Sequence, residues 1–171
     1  MPRLVIEPIG LHWLNTECPN EDLCAHGGVS IVLDGIEIFR TKEEGLSVST
    51  GALYLLRHVN ADHLNTEEDH LFPCCAFEML VDDGKVINIT GCGHGDDWKI
   101  VHAGGDVTLD FYGGPNVQIS EMDWRDAVLK FSSDVRSFYF QEQKRPGDAD
   151  REWFSAFTAE WAERQASLSP R

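Results

Sequence analysis

Through residues 1–122 the apolar positions fall in short runs that alternate with polar ones, broken by Gly/Asp turns. That period of two is the mark of half-buried strands. Leu4 to Leu14 reads as a first strand, interrupted at Pro8-Ile9-Gly10, and Asn15 to Asp22 as a polar loop. Val29 to Leu33, Asp34-Gly35 and Ile36 to Phe39 make the clearest hairpin signal, because Asp-Gly supplies the positive φ angles of a type I′ turn. Phe77 to Val81 and Val86 to Thr90 pair through Asp82-Asp83-Gly84-Lys85. Trp98 to His102 and Val107 to Phe111 pair through Ala103-Gly104-Gly105-Asp106, and Val117 to Ile119 adds a short strand. Val86 to Phe111 is therefore expected at the centre of an antiparallel sheet.

Helical spacing enters in three places. Ser49 or Thr50 is placed to cap a short helix to about Val59, with Ala52, Leu53, Leu56 and Val59 on one face. Asn60 to His70 follows as an acidic surface loop. After Asp123, as N-cap, Trp124, Ala127, Val128, Phe131, Val135, Phe138 and Tyr139 recur along a helix expected to reach Lys144 before Arg145-Pro146-Gly147. Asp150 caps a last helix lined by Phe154, Phe157 and Trp161. The expected fold is α+β: a mostly antiparallel sheet of hairpins in residues 1–122, a short mid-chain helix, and two C-terminal helices in residues 123–166, in a single domain.

Composition changes the picture mainly through charge. Fourteen basic against 29 acidic side chains leave −15 on 171 residues. Such a field repels phosphate backbones and anionic membranes, and steers basic proteins inward. It also serves solubility alone. No secretory h-region and no membrane-length apolar run are present, and five cysteines read as reduced thiols in a cytoplasmic protein.

Two Cys-x-His pairs stand out: Cys24 with His26, and Cys92 with His94. On a strand, i and i+2 face one side, so the four side chains would supply a tetrahedral zinc site if the pairs met. His63, His70, Cys74, Cys75 and His102 are substitutes. The spacing is not a usual zinc pattern, and buried cysteines also pack as small hydrophobes, so no cofactor is assigned. Cys92 and Cys75 lack the surroundings of a catalytic thiolate; Asp96 and Asp97 beside Cys92 favour the thiol. The bend GCGHGDDW has neither the lysine of a phosphate loop nor a full GxGxxG, and no His-x-Glu accompanies Pro73-Cys74-Cys75 as deaminase chemistry requires. No complete catalytic motif stands in the chain, and a non-enzymatic role is expected.

The carboxylates fall in clusters: Glu67, Glu68 and Asp69; Asp82 and Asp83; Asp96 and Asp97. Adjacent acids in turns commonly stand in water or bond nearby backbone N–H groups. Together they also make the acidic contact surface expected of an inhibitor for a cationic protein. Trp13, Trp98 and Trp161 are expected in or at the core.

With Leu23-Cys24-Ala25-His26-Gly27, Ala52 to Arg57, Asp62-His63, Pro73-Cys74-Cys75 and Gly91 to Trp98 in view, the chain resembles small cytosolic bacterial immunity proteins of polymorphic or contact-dependent toxin systems. The resemblance spans Leu11 to Tyr139 and carries over no binding residues. It implies an inhibitor that occludes a toxin domain, often a nuclease or another basic enzyme. The other readings are a zinc-binding or metal-dependent enzyme using Cys24, His26, Cys92 and His94, and a homodimer through the last helix.

Overall fold

The computed structural model describes residues 3–41, 45–64, 70–74, 78–90 and 94–169. The fold is α+β, with several antiparallel sheets and three helices among these residues.

Strand β2 (His26–Leu33) organises the N-terminal half. One edge pairs with β1 (Leu4–His12), and the other is shared between two partners. β3 (Ile36–Arg40) takes Ser30 to Leu33, and β4 (Leu46–Ser47) takes His26 and Gly27. The β2–β3 turn has Asp34 at φ 52° and Gly35 at φ 81°, the left-handed pair that a two-residue hairpin demands. β1 is continuous through Pro8, with its register slipping only between Ile9 and His12.

β4 runs directly into α1 (Val48–Arg57), whose first turn is buried. The cap position is Ser47, not Ser49 or Thr50, and its side chain makes no capping bond. The reason is competition. Ser49 Oγ accepts from Ala25 N at 3.1 Å, and Ser47 and Thr50 hydroxyls bond each other at 2.8 Å.

Val86 to Phe111 does not form the centre of one sheet. Its residues are divided among three small sheets. β6 (Glu78–Asp82) pairs with β7 (Lys85–Thr90), and β5 (Phe72–Pro73) pairs with β8 (Gly95–Asp96). β10 (Asp106–Phe111) lies between β9 (Trp98–Ala103) and β11 (Asn116–Ser120). Two-residue strands such as β4, β5 and β8 are too short to show a period, so their pairings leave no trace in the sequence.

α2 (Glu121–Tyr139) begins three residues before the expected start at Trp124, because Ser120 and not Asp123 is its cap. Ser120 Oγ accepts from Asp123 N at 3.1 Å and donates to Asp123 Oδ2 at 2.5 Å, so the serine and aspartate satisfy each other. The helix ends at Tyr139 rather than Lys144. Tyr139 donates its hydroxyl to Leu23 O at 2.7 Å, and Lys144 turns back to Pro19 O and Asp22 O, both at 2.9 Å. The Lys144 ammonium also sits 3.0 Å from the centroid of Trp13. Tertiary bonds thus take over the segment that periodicity assigns to the helix. In α3 (Arg151–Leu168) the expected cap Asp150 makes no capping bond; its Oδ1 accepts from Trp153 Nε1 at 3.0 Å.

One contiguous core joins these elements, from Leu4 and Ile6 through Leu53, Phe72, Trp98, Phe111 and Phe131 to Trp161. Trp98, Trp124 and Trp161 are fully buried and Trp13 half-buried, as expected. No described helix is long and apolar enough to cross a membrane.

Candidate functional site

The β6–β7 hairpin carries two of the candidate acids, Asp82 and Asp83, at its tip. Asp82 pairs with Lys85 across its tip, and Asp83 (φ 48°) with Gly84 (φ 71°) forms the two-residue turn. Both aspartates are exposed. A two-residue turn with both φ angles positive holds its side chains on a short, rigid projection. The turn therefore presents carboxylates without a long loop to order on binding.

The hairpin stands against α3, and between them lies a groove of about 590 Å³. Asp83 and Lys85 line one side; Glu160, Glu163 and Arg164 line the other. Glu160 and Arg164 belong to an ion-pair network. Arg57, at the end of α1, grips Glu160 with Nε at 2.9 Å and Nη2 at 2.8 Å, and Nη2 also donates to Val86 O at 2.9 Å. Arg164 Nε donates to Glu160 Oε1 at 2.7 Å. Burial pushes the Glu160 carboxyl up, yet the bonds from Arg57 and Arg164 outweigh it and hold the pKa below the usual glutamate value. Glu160 is thus committed to structure. Asp83 and Glu163 are the groove's remaining carboxylates, and neither is in an ion pair with another described residue.

The other carboxylates scatter. Glu67, Glu68 and Asp69 lie outside the described residues. Asp96 is half-buried in β8, opposite Phe72. Asp97 is not a surface acid at all, and as a contact residue it is corrected. It is 9% exposed; its Oδ1 accepts from His63 Nε2 at 2.8 Å and from Leu71 N at 3.1 Å. Asp97 ties the segment after α1 to the approach to β5 and the start of β9. The adjacent acids point different ways because successive side chains along an extended chain face opposite sides.

The two Cys-x-His pairs are also kept apart where they can be followed. Cys92 lies outside the described residues. Gly27 pairs with Leu46, Leu46 bridges to Cys74, and Cys74 N donates to His94 O at 3.0 Å. Three strand spacings therefore separate the His26 region of β2 from His94, roughly 14 Å at the usual interstrand distance. Ligands of one zinc ion must each lie about 2.0–2.3 Å from it. Cys24 and His26 do not converge with His94 in this arrangement.

Cys24 and His26 share a local arrangement around Asp22 instead. His26 is buried, with Nε2 3.8 Å from Asp22 Oδ1, and Asp22 Oδ1 accepts from Cys24 N at 3.1 Å. Desolvation lowers the His26 pKa despite Asp22, so the imidazole is neutral near pH 7. Among the described residues no group of three or more His, Cys, Asp or Glu side chains is arranged to hold a metal ion. Cys18 and Cys24 are in no disulfide, but Cys74 is disulfide-bonded. That corrects the reading of Cys74 as a thiol; its backbone lies between Leu46, to which it is bridged, and His94, whose carbonyl accepts from its N–H.

Arg57, which bonds the groove residue Glu160 from behind, is the residue that sequence reasoning passes over. Glu160 and Arg164 carry a weak signal, the i, i+4 spacing of a helical ion pair. Arg57 and Glu160 are 103 positions apart, and nothing local announces them. No protein-family model, curated protein or solved structure matches the chain.

Proposed function

We propose that the protein is an acidic inhibitor that binds and occludes a basic protein, acting as an immunity protein against a cognate bacterial toxin. The observation that carries this reading is the pair Asp82 and Asp83 on a rigid, exposed turn beside Glu163, on a chain of net charge −15. A cationic surface is drawn to such a field over several ångströms, and the groove beside the turn gives it a place to seat. Lysine or arginine side chains of the partner meet Asp83 and Glu163 there. Occlusion needs no chemistry from the inhibitor, only shape, charge and a slow off-rate.

The deciding experiment is rescue. The protein is co-expressed with the product of a neighbouring toxin-like reading frame, and survival is compared with and without it. Rescue, with association that weakens steeply between low and high salt, supports the proposal. Absence of rescue, together with no salt-dependent association with any basic partner, removes it. The proposed compartment is the cytoplasm. The Cys74 disulfide is the feature that a reducing cytosol would open, so thiol counting on protein trapped in cells tests the location separately.

The zinc reading retains one observation: His26 Nδ1 is buried with no hydrogen-bond partner among the described residues. Elemental analysis of the purified protein tests it. Stoichiometric zinc with chelator-sensitive melting would replace the inhibitor reading by a metal-stabilised domain.

A further inference from the structure

The β6–β7 hairpin is a two-stranded sheet, so each strand has one edge that its partner does not cover. The two outer edges meet different surroundings. Along β7, Val86 O accepts from Arg57 Nη2 at 2.9 Å, and Ile89 O accepts from the Tyr54 hydroxyl at 2.8 Å. Both donors belong to α1, which therefore closes that edge. β6 packs on β7 and α3, and its exposure alternates. Glu78, Leu80 and Asp82 stand in solvent, with Leu80 47% exposed, while Met79 and Val81 are half-buried.

The direction of the β6 backbone groups follows from β7. Val86 and Ile89 turn their carbonyls outward to α1, so their partners across the ladder, Val81 and Met79, turn away from β7 as well. The turn gives the same parity. Asp82 and Lys85 flank the two-residue loop and exchange hydrogen bonds, so the next pair, Val81 and Val86, does not. The register slip absorbs the odd residue between Val86 and Ile89: Leu80 faces Asn88, and Ile87 is the extra residue of a bulge. Met79 and Val81 thus aim two N–H and two C=O groups away from β7. Among the described residues no hydrogen bond reaches those groups.

We infer that the outer edge of β6 takes an extended, basic segment of another protein as an added strand, hydrogen-bonded to Met79 and Val81. In strand addition the main chain supplies affinity and alternate side chains supply specificity. Specificity here is set by the solvent face, where the acids Glu78 and Asp82 flank the apolar Leu80. The complementary strand carries lysine or arginine opposite each acid and an apolar residue opposite Leu80, at every second position. A second copy of this chain is the poorer occupant. Two β6 edges laid antiparallel about Leu80 would match Met79 with Val81, but would also set Glu78 against Asp82 on both sides. Like charges directly opposite are destabilising. That the segment belongs to a toxin rests on the inhibitor reading above; the open edge does not.

The test uses the full chain and the capped peptide Thr-Lys-Thr-Ile-Thr-Lys-Thr. Its controls are the analogue with glutamate for lysine, and two isomers, one N-methylated on its threonines and one on its other residues. Hydrogen exchange is followed at Met79, Leu80 and Val81. In the free protein the Met79 and Val81 amides should exchange faster than that of Leu80, which turns toward β7. The lysine peptide should protect both, and the glutamate peptide neither. One N-methylated isomer should bind and the other fail, since only alternate amides of an added strand face β6. Glu78→Lys with Leu80→Lys, at exposed positions that do not line the α3 groove, should weaken the lysine peptide by about tenfold.

Met79 and Val81 amides as slow as Leu80 in the free, dilute protein overturn the inference, because the edge is then already covered. Failure of the lysine peptide to protect them, or equal binding by both N-methylated isomers, overturns it as well. Protection that appears without peptide and grows with protein concentration assigns the edge to a second copy instead. Failure here is distinguishable from failure of the inhibitor reading. Rescue that survives unchanged in the Glu78→Lys, Leu80→Lys variant leaves the inhibitor and removes the added strand as its contact. Peptide addition at β6 without any rescue does the reverse.

Discussion

Asp97 holds His63 across 34 positions of sequence, with Oδ1 2.8 Å from His63 Nε2, in a place where both side chains are only 4% exposed. The same oxygen takes the Leu71 N–H at 3.1 Å, and the His63 ring meets His58 edge-on at 4.9 Å between centroids. His63 also exchanges backbone bonds with Ile100, both at 2.8 Å, which pin the segment after α1 to β9. One carboxylate therefore joins three stretches of chain. Removing it strands a buried donor at Leu71.

Asp97→Ala is accordingly expected to cost about 2–4 kcal/mol, the loss of charged hydrogen bonds plus an unsatisfied amide. Asp97→Asn keeps an oxygen at nearly the same point and should cost less. Urea denaturation of the two variants checks the order. Equal losses would mean that the charge, not the acceptor geometry, holds the junction.

Gly51 is expected to resist even alanine. A Cβ built there falls 2.4 Å from Phe72 Cδ1 and Cε1, and the Phe72 ring is fully buried. In an open helix, glycine to alanine gains about 1 kcal/mol. Here overpacking reverses the sign, with a net loss of about 1–3 kcal/mol. Thermal melts of Gly51→Ala, Phe72→Leu and the double variant test it. The double variant should be more stable than the sum of the two singles, because the shorter side chain relieves the clash.

The Arg57–Glu160 pair should matter more than an exposed ion pair. Each side chain is 17% exposed, the contact is two-pronged, and Arg57 also caps Val86 O. Glu160→Gln is expected to cost about 1.5–3 kcal/mol at neutral pH. The pH dependence follows from the lowered Glu160 pKa. Between the folded and unfolded values the unfolded state holds more protons, so this contribution is complete above the ordinary glutamate range. It is lost as pH falls through the folded value. Stability measured from pH 7 down to acid should therefore fall more gently in Glu160→Gln than in the parent.

Lys144 is expected to titrate at about 8 rather than at the ordinary lysine value of 10.5, because burial disfavours its ammonium. Between those two values the unfolded chain binds the extra proton, so the Lys144 contribution to stability rises with pH across that window. Tyr139, which packs beside it, has a pKa raised by burial and by the nearby Cys24 and Asp22, and acts oppositely above pH 10. An NMR titration of the Lys144 ε-methylene checks the first value. Lys144→Met should abolish the positive slope between about 8 and 10 while leaving the decline above it.

Much of this fold is legible in the chain because its information is local. The Asp34-Gly35 and Asp83-Gly84 turns follow from residues that tolerate positive φ, and β6, beside the second turn, alternates between exposed and half-buried positions. The apolar stripe of α2, from Trp124 to Tyr139, is buried as its spacing predicts, except Phe138, which is half-buried against Trp13. The candidate site was legible only in part. Asp82 and Asp83 are exposed at a turn, as read, whereas Asp97 is internal and its fate could not be told from that of Asp96 without a partner in view.

Net charge, turn chemistry and hydrophobic period thus determine that the chain is acidic, α+β and built of short hairpins. They are sums or near-neighbour properties, and each can be read from a few consecutive residues. Which surfaces exist is decided by tertiary structure alone. The splitting of β2 between β3 and β4, the grip of Arg57 on Glu160, and the groove between β1 and α2 all join residues distant in sequence. Such contacts depend on where the chain returns in space, and no local pattern records that return.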